Sequence, residues 1–301
     1  MTGSQLLGPQ LDAFLPRLGR FIRKPWQEKL AYVEFRFLRL LLSIPVPVRL
    51  PFGAWWLARN DAMGLAVFRG RFETTELQFV NTFLRPDMNV LDIGAHHGLY
   101  TLLASRRVGP SGRVTAFEPS PREYRKLLRH LRLNRCVNVR PLNCALGNEE
   151  REAELFVVEG CETGCNSLRP PNVAEPTRKI PVWVCTLDSC LDREKIEKVD
   201  FVKLDVEGAE LEVLKGAGQL LARQPRPVFL CEVQEIRCSA WGYAAKEIIL
   251  LLRGLGYHWF VPSAGGRLKP LSSDQPSFDG NFVAVPDERL SDGGLFTQLS
   301  G

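Results

Sequence analysis

Apolar positions along the chain alternate between short continuous runs and stretches of helical period, at regular spacing. Val90, Leu91 and Ile93 with an embedded Asp92 read as a buried strand, glycines 94 and 98 as a tight turn, and residues 99–108 as a helix. The same alternation predicts strands at 113–117, 138–146, 201–208 and 227–233, and helices at 121–134, 209–221 and 244–255. Closing strands fall at 257–262 and 281–285. Ahead of the first strand, Leu77, Val80, Phe83 and Leu84 share one face of a helix over 72–84, which Pro86 ends. Residues 53–58 and 65–69 read as a hairpin turning at 60–64, and residues 1–50 as a helical extension. Between the third and fourth core strands, 152–158 and 180–187 alternate like antiparallel strands around a Gly/Pro/Asn-rich loop, 160–179, long enough to be a lid. Strand and helix in regular alternation imply an α/β fold: a seven-stranded, mostly parallel sheet with right-handed crossovers and helices on both faces.

Composition changes this picture little. With 301 residues, 45% hydrophobic and 24% charged, the chain suits one large α/β domain with an extension. The expected division is an N-terminal extension and hairpin over 1–70, a core domain over 71–290 and a tail over 291–301. The net charge of +5 is modest. Arg122, Arg125, Lys126, Arg129, Arg132 and Arg135 crowd one predicted helix, but no interleaved aromatics offer base stacking, which argues against nucleic acid. Eight scattered cysteines with no secretory signal imply reduced thiols and a cytoplasmic protein. Cys161 and Cys165 lack two further ligands nearby, so no metal is expected. The apolar run 37–51 is broken by Arg39, Pro45, Pro47 and Arg49 and is too short to span a bilayer. A basic amphipathic helix from about residue 11 to 44 could instead lie on a membrane surface or pack on the core.

In an open parallel sheet, ligands bind beyond the carboxyl ends of the strands. Those ends carry Asp92 and Gly94, Glu118, Asn143 and Ala145, Asp205 and Glu207, and Glu232. The glycine turn reads D-x-G-x-x-x-G, with Ala95 where the G-x-G-x-x-G of a dinucleotide site has its second glycine. An acid at the strand end suits a cationic ligand better than a phosphate. Glu118 is placed to accept hydrogen bonds from two ribose hydroxyls, a feature shared with NAD enzymes. Lys203, Asp205 and Glu207, two apart on one strand, are expected on a single face. They are either a satisfied polar cluster or a functional one.

These residues together resemble the FkbM family of S-adenosylmethionine (SAM)-dependent methyltransferases. The likeness runs from Phe72-Glu73 through the glycine turn, Phe117-Glu118-Pro119, Ala145-Leu146-Gly147 and Thr186-Leu187-Asp188. It is sharpest in K-x-D-V-E-G-x-E, beginning at Lys203, and in Leu214-Lys215-Gly216-Ala217. The resemblance implies a class I, Rossmann-like methyltransferase fold, SAM as cofactor and most often a hydroxyl as methyl acceptor. It implies that Asp92, Gly94, Ala95, His96 and Gly98 hold the amino-acid part of SAM and that Glu118 holds the ribose. Asn143, Cys144 and Ala145 would then flank the adenine, and Glu73 would close over the amino group. Asp205 becomes the acceptor's base or the partner of the SAM ammonium, supported by Glu207 and Glu232. His96 and His97 depart from the pattern, which usually has Asn and an apolar residue there. The expected activity is O-methylation of a small molecule, sugar or glycan- or lipid-linked acceptor. The alternatives are a non-catalytic SAM-binding module acting through partner or membrane contact, and an NAD-dependent oxidoreductase. A carboxylate-bound divalent ion is a further mechanistic option.

Overall fold

A computed structural model describes residues 38, 40–272, 275 and 277–291 of the chain. Most of the expected N-terminal helix, residues 11–37, and the tail beyond 291 lie outside the described residues.

The chain opens with a hairpin of β1 (Val46–Arg49) and β2 (Trp55–Ala58), paired antiparallel. The hairpin expected over 53–58 and 65–69 is therefore displaced, because residues 62–68 form a helix, α1 (Ala62–Phe68). The reason is local. Asp61 caps that helix by accepting the Gly64 N–H at 2.7 Å, so the apparent turn is an N-cap. Helix α2 (Thr74–Phe83) precedes the core unit β3 (Asn89–Ile93), α3 (Leu99–Val108), β4 (Arg113–Phe117), α4 (Pro121–Leu133) and β5 (Val139–Leu142).

A three-stranded sheet follows, with β6 (Ala145–Gly147), β7 (Arg151–Val158) and β8 (Thr177–Thr186) in the order β6-β8-β7. The strand expected over 138–146 is thus two strands in two sheets. Asn143 turns the chain between them, its side-chain amide donating to the carbonyls of Glu118 at 2.7 Å and Pro119 at 3.1 Å. After α5 (Leu187–Arg193), strand β9 (Phe201–Leu204) ends four residues earlier than expected, before a turn with Glu207 and Gly208 at positive φ. The helix expected over 209–221 is broken into α6 (Glu210–Lys215) and α7 (Gly218–Ala222). Gly216 lies in the break against the carbonyl oxygen of Gly147, where a Cβ would collide. The Asp188 carboxylate caps the second piece through the N–H groups of Gln219 and Leu220.

The remaining elements are β10 (Val228–Gln234), α8 (Glu235–Ser239), α9 (Ala245–Gly254), β11 (Tyr257–Ser263), β12 (Arg267–Pro270), β13 (Asp279–Pro286) and α10 (Asp287–Ser291). The main sheet has eight strands rather than seven, in the order β12-β11-β13-β10-β9-β3-β4-β5. The added strand, β12, pairs antiparallel at the edge and lies in sequence between the two expected closing strands. From β10 to β5 all pairings are parallel, and β13 runs antiparallel between β10 and β11.

Alternate residues of the core strands feed opposite faces of this sheet. Leu91, Phe117 and Leu204 pack with Leu214, Leu220 and Ile249 of the later helices. Val90, Val114 and Phe201 pack with Phe79 and Phe83 of α2 and Leu103 of α3. A third cluster joins the N-terminal hairpin to the domain, with Trp56 and Leu42 against Leu127 and Leu131 of α4. Polar ties fix the same junction. His130 accepts the Leu57 N–H on Nε2 at 3.1 Å, which leaves Nδ1 as the protonated nitrogen donating to the His97 carbonyl at 2.8 Å. Its ring stacks on Trp56 at 4.0 Å. Among the described residues, no helix is long and apolar enough to cross a membrane.

Candidate active site

The carboxyl ends of β3, β4, β9 and β10 open into a cavity of about 440 Å³. Helix α1 and the 162–168 segment form its remaining walls, so the loop read as a lid does border it.

The turn after β3 forms one wall. Gly94 has φ +83°, and a Cβ there would overlap the carbonyl oxygen of Asp205, so only glycine fits between β3 and β9. The Gly94 and Ala95 N–H groups bond the Phe117 carbonyl at 3.0 and 2.9 Å, tying the turn to the end of β4. His96 also adopts positive φ, a conformation that Asn and His tolerate better than bulky residues. Its N–H donates to Glu118 at 2.8 Å, while the other Glu118 oxygen accepts the Ser120 N–H at 2.8 Å. Burial pushes the Glu118 carboxyl up to about 8 despite these two donors. At the strand end, Asp92 accepts the Thr101 hydroxyl and is pushed up by burial to about 6.

The histidines behave differently from one another. The His96 ring lines the cavity, with Nδ1 3.1 Å from the Met63 sulfur of α1 and Nε2 3.1 Å from the Thr163 hydroxyl. His97 lies behind it, stacked at 3.7 Å and buried, with its Nε2 3.0 Å from the Lys126 ammonium. Burial lowers both, His97 to about 4, so the pair is neutral at physiological pH.

The opposite wall carries the charges. Lys203, 2% exposed, directs its ammonium to Asp205 at 3.0 Å and Asn281 at 3.1 Å, above the Tyr100 ring. The Tyr100 hydroxyl donates to Glu73 at 2.5 Å. Burial works to raise Asp205, but the Lys203 ammonium overrides it and holds this carboxyl ionised. Glu232 is raised well above the usual range, first by burial and then by the charge on Asp205, so the two carboxyls share one proton. Glu73 is raised by burial too.

Asp205 and Glu207 do not share a strand face as expected. Strand β9 has ended, Asp205 bonds through its N–H to the Ile93 carbonyl, and Glu207 turns away to pair with Arg237. Both still border the cavity, from different walls. Glu73, Asp92, Gly94, Ala95, His96, Glu118, Cys144, Ala145 and Glu232 border it as well. Gly98 and Asn143 do not. Gly98 starts α3 at φ +89°, beside the Leu127 side chain, and Asn143 turns the chain behind the wall. Sequence reasoning missed Met63, Tyr100 and the Asn281 anchor, which long-range packing alone brings to the site. Lys203 was visible as one of three ionisable groups on a buried strand.

The carboxylates of Asp205, Glu210 and Glu232 come within 4.8 Å of one another. Glu210 is committed to the N–H groups of Val206 and Gly208, and the cation beside Asp205 is Lys203. The sulfurs of Cys144, Cys185 and Cys190 form a second close group, with Cys144 on the cavity wall.

A family model described as the methyltransferase FkbM domain matches residues 92–259, more than half of the chain. Methyltransferase 1 of Beauveria bassiana is 27% identical over 146 residues, covering 43% of this chain and 58% of the relative. Methyltransferase sdnD of Sordaria araneosa is 30% identical over 158 residues, covering 43% and 60%. The chain thus spans about three fifths of the length of these curated relatives. Among solved structures, the chain is similar to the O-methyltransferase TomG from Streptomyces achromogenes in complex with SAM, at 15% identity and a TM-score of 0.43 over 71% of this chain and 79% of that one.

The residues present fit the cofactor of that family, SAM. A buried acid, Glu118, stands at the end of β4 as an acceptor for ribose hydroxyls. Glu73, Asp92, Asp205 and Glu232 surround one ammonium, a surplus of carboxyl groups that suits a ligand with a sulfonium and an amino group. Gly94, whose missing Cβ leaves room for the Asp205 carbonyl, lines the cavity with backbone alone. From the match over 92–259 and this cavity, the chain belongs to the FkbM-domain methyltransferases, with a class I α/β fold and SAM as cofactor.

Proposed function

We propose that the protein is an O-methyltransferase acting on a hydroxyl of a small molecule, a sugar or a glycan- or lipid-linked acceptor. The observation that carries this reading is the Lys203–Asp205–Glu232 group at the cavity wall. It keeps one carboxylate ionised where 26% of the Asp205 side chain remains exposed. An acceptor hydroxyl loses its proton as its oxygen becomes methylated, and that proton needs a nearby base. When bound, SAM supplies a methyl group on a positively charged sulfur, already activated for displacement.

The chain's own residues do the rest. Glu118 holds the ribose, and the turn at 94–96 with Glu73 and Asp92 holds the amino-acid end. Cys144 and Ala145 border the adenine side. Asp205 orients the acceptor hydroxyl and takes its proton. Lys203 keeps Asp205 ionised, and Glu232 remains the protonated partner. Met63 of α1, with Thr163 over His96, narrows access of water from above the turn. Holding acceptor and donor in line supplies on the order of 7–11 kcal/mol of barrier lowering. The base adds about 10²–10⁴-fold.

The test is titration calorimetry with SAM and S-adenosylhomocysteine, followed by a screen of hydroxyl acceptors for S-adenosylhomocysteine release. Release with a hydroxyl acceptor supports the reading. Release only with amine or thiol acceptors refutes O-methylation, and binding without turnover across the screen favours a non-catalytic SAM-binding module.

A further inference from the structure

Two stretches of the chain, residues 40–60 and 124–148, contain no Asp or Glu at all. They are distant in sequence, yet the fold packs them together. The Asn134 side chain accepts the Trp55 N–H and donates to the Trp55 carbonyl, both at 2.7 Å, and His130 accepts the Leu57 N–H. The acid-free hairpin and the acid-free stretch of α4 that begins at Tyr124 therefore form one side of the molecule.

That side is basic and apolar at once. Arg125, Arg129 and Arg132 project from the exposed face of α4, spaced four and three residues apart, and Arg135 follows at the helix end. No carboxylate pairs with these four among the described residues. The neighbouring cations behave otherwise: Lys126 turns inward to Glu123 and Asp61, and Arg140 pairs with Glu194. Beside the arginines stand large apolar side chains that the core does not take. Val137 is 88% exposed and Leu133 and Trp55 are each 42% exposed, with Arg49 over the Trp55 ring. On the lead-in to the hairpin, Leu40 and Ile44 are 72% and 70% exposed.

We propose that this face docks on an anionic lipid bilayer. Arginines meet the phosphate headgroups, and Trp55, Leu133, Val137 and the Leu40–Ile44 lead-in enter the boundary with the acyl chains. The chemistry distinguishes lipid from nucleic acid. A nucleic-acid surface would combine the same charge with several aromatic platforms for bases, whereas on this face aliphatic residues intersperse the arginines and Trp55 is the large exposed aromatic; the other exposed tryptophan, Trp183, lies on β8. Each cation near such a surface adds a comparable increment of binding, and a few inserted apolar side chains hold the protein in register. The face is tied to the site by a short connection, since β2 ends at Ala58 and α1, which walls the cavity, begins at Ala62. The inference does not depend on which acceptor is methylated.

The test is flotation of the full chain with vesicles of phosphatidylcholine alone and of phosphatidylcholine mixed with phosphatidylglycerol. The expected result is partition to the mixed vesicles only, weakening as salt rises. Arg129→Glu with Arg132→Glu is expected to lower the partition constant about a hundredfold. Val137→Glu, at a position too exposed to affect folding, is expected to lower it severalfold. Thermal melts and SAM affinity of both variants should match the wild type. Absence of flotation, equal binding to both vesicle types, or unchanged partition of the variants would overturn the proposal. So would duplex or single-stranded RNA that competes the protein off the vesicles through the same two arginines, which would make nucleic acid the partner.

Discussion

Of the carboxyl groups in the field of the Lys203 ammonium, Asp205 is ionised beside it and Glu232, in contact with Asp205, is protonated. This arrangement predicts strong non-additivity between substitutions at Asp205 and Glu232. Glu232→Gln replaces a carboxyl that is already neutral by an amide of similar shape, so it should cost under about 1 kcal/mol. Asp205→Asn removes the charge that holds Glu232 protonated. Glu232 then ionises and takes over as the counter-charge of Lys203, an interaction that already helps raise the lysine. The net cost should be about 1–2 kcal/mol. With both changed, the buried ammonium bonds only Asn281 at 3.1 Å and has Glu73 in its field, and losing the directly bonded counter-charge of a buried ion costs about 3–5 kcal/mol. The coupling between the two sites is therefore about 1–3 kcal/mol, read from denaturant unfolding of the four proteins at pH 7. Additivity within about 0.5 kcal/mol would refute the shared-proton description. Turnover should separate from stability, since Glu232 can replace the charge of Asp205 but not its place beside the acceptor. Asp205→Asn should thus lose about 10²–10⁴ in rate while Glu232→Gln retains most of it.

Three further outcomes follow from the same geometry. Glu118→Gln should weaken both SAM and S-adenosylhomocysteine by about 2–3 kcal/mol in calorimetry, because an amide has one acceptor oxygen and cannot take both the His96 and Ser120 N–H groups and the ribose hydroxyls; unchanged affinity would place the ribose elsewhere. Gly94→Ala should lower stability by about 2–4 kcal/mol and abolish cofactor binding, since it forces a Cβ into the Asp205 carbonyl at positive φ; a melting temperature like that of the wild type would contradict that packing. His97 and His130 are buried neutral, each lowered to about 4, so the stability they contribute is present above about 6.5 and lost as pH falls toward 4. That amounts to up to about 3 kcal/mol each, and His130→Leu should flatten the acid limb of the melting curve.

Legibility of the fold in the sequence tracks how local the cause of each element is. Helix α3 and strand β4 fall where periodicity places them, because strong apolar runs are bounded by glycine and proline signals. The hairpin was misplaced because Asp61-Ala62-Met63-Gly64 carries turn residues that the structure uses as a helix cap. The breaks at Asn143 and Gly216 have no periodic signature. One is a side-chain amide reaching back to the end of β4, the other a close approach to Gly147, and each depends on a partner far along the chain. The site follows the same rule. Asp92, Glu118 and Asp205 are readable because parallel strands must end on one rim. The pairing of Tyr100 with Glu73 and of Lys203 with Asn281, and the approach of Met63 to His96, join segments 27, 78 and 33 residues apart, and nothing local announces them.

The charge of the site explains why those distant partners are present. The carboxyl groups of Glu73, Asp92, Glu118, Asp205 and Glu232 line one cavity with the single ammonium of Lys203, and without a cationic ligand they cannot all ionise. The fold responds by holding protons. Asp92 is raised to about 6 and Glu118 to about 8, with Glu73 and Glu232 also raised. Between about pH 4.5 and 8 the folded protein retains protons on these groups that the unfolded chain has released, so raising the pH drains stability from the ligand-free fold. A ligand carrying positive charge reverses this. It favours the ionised carboxylates, so its binding strengthens over the same interval and restores the stability that the empty site loses. The buried acids are therefore poor stabilisers of the fold by themselves, and their placement becomes intelligible only as a preformed counter-charge for a sulfonium and an amino group.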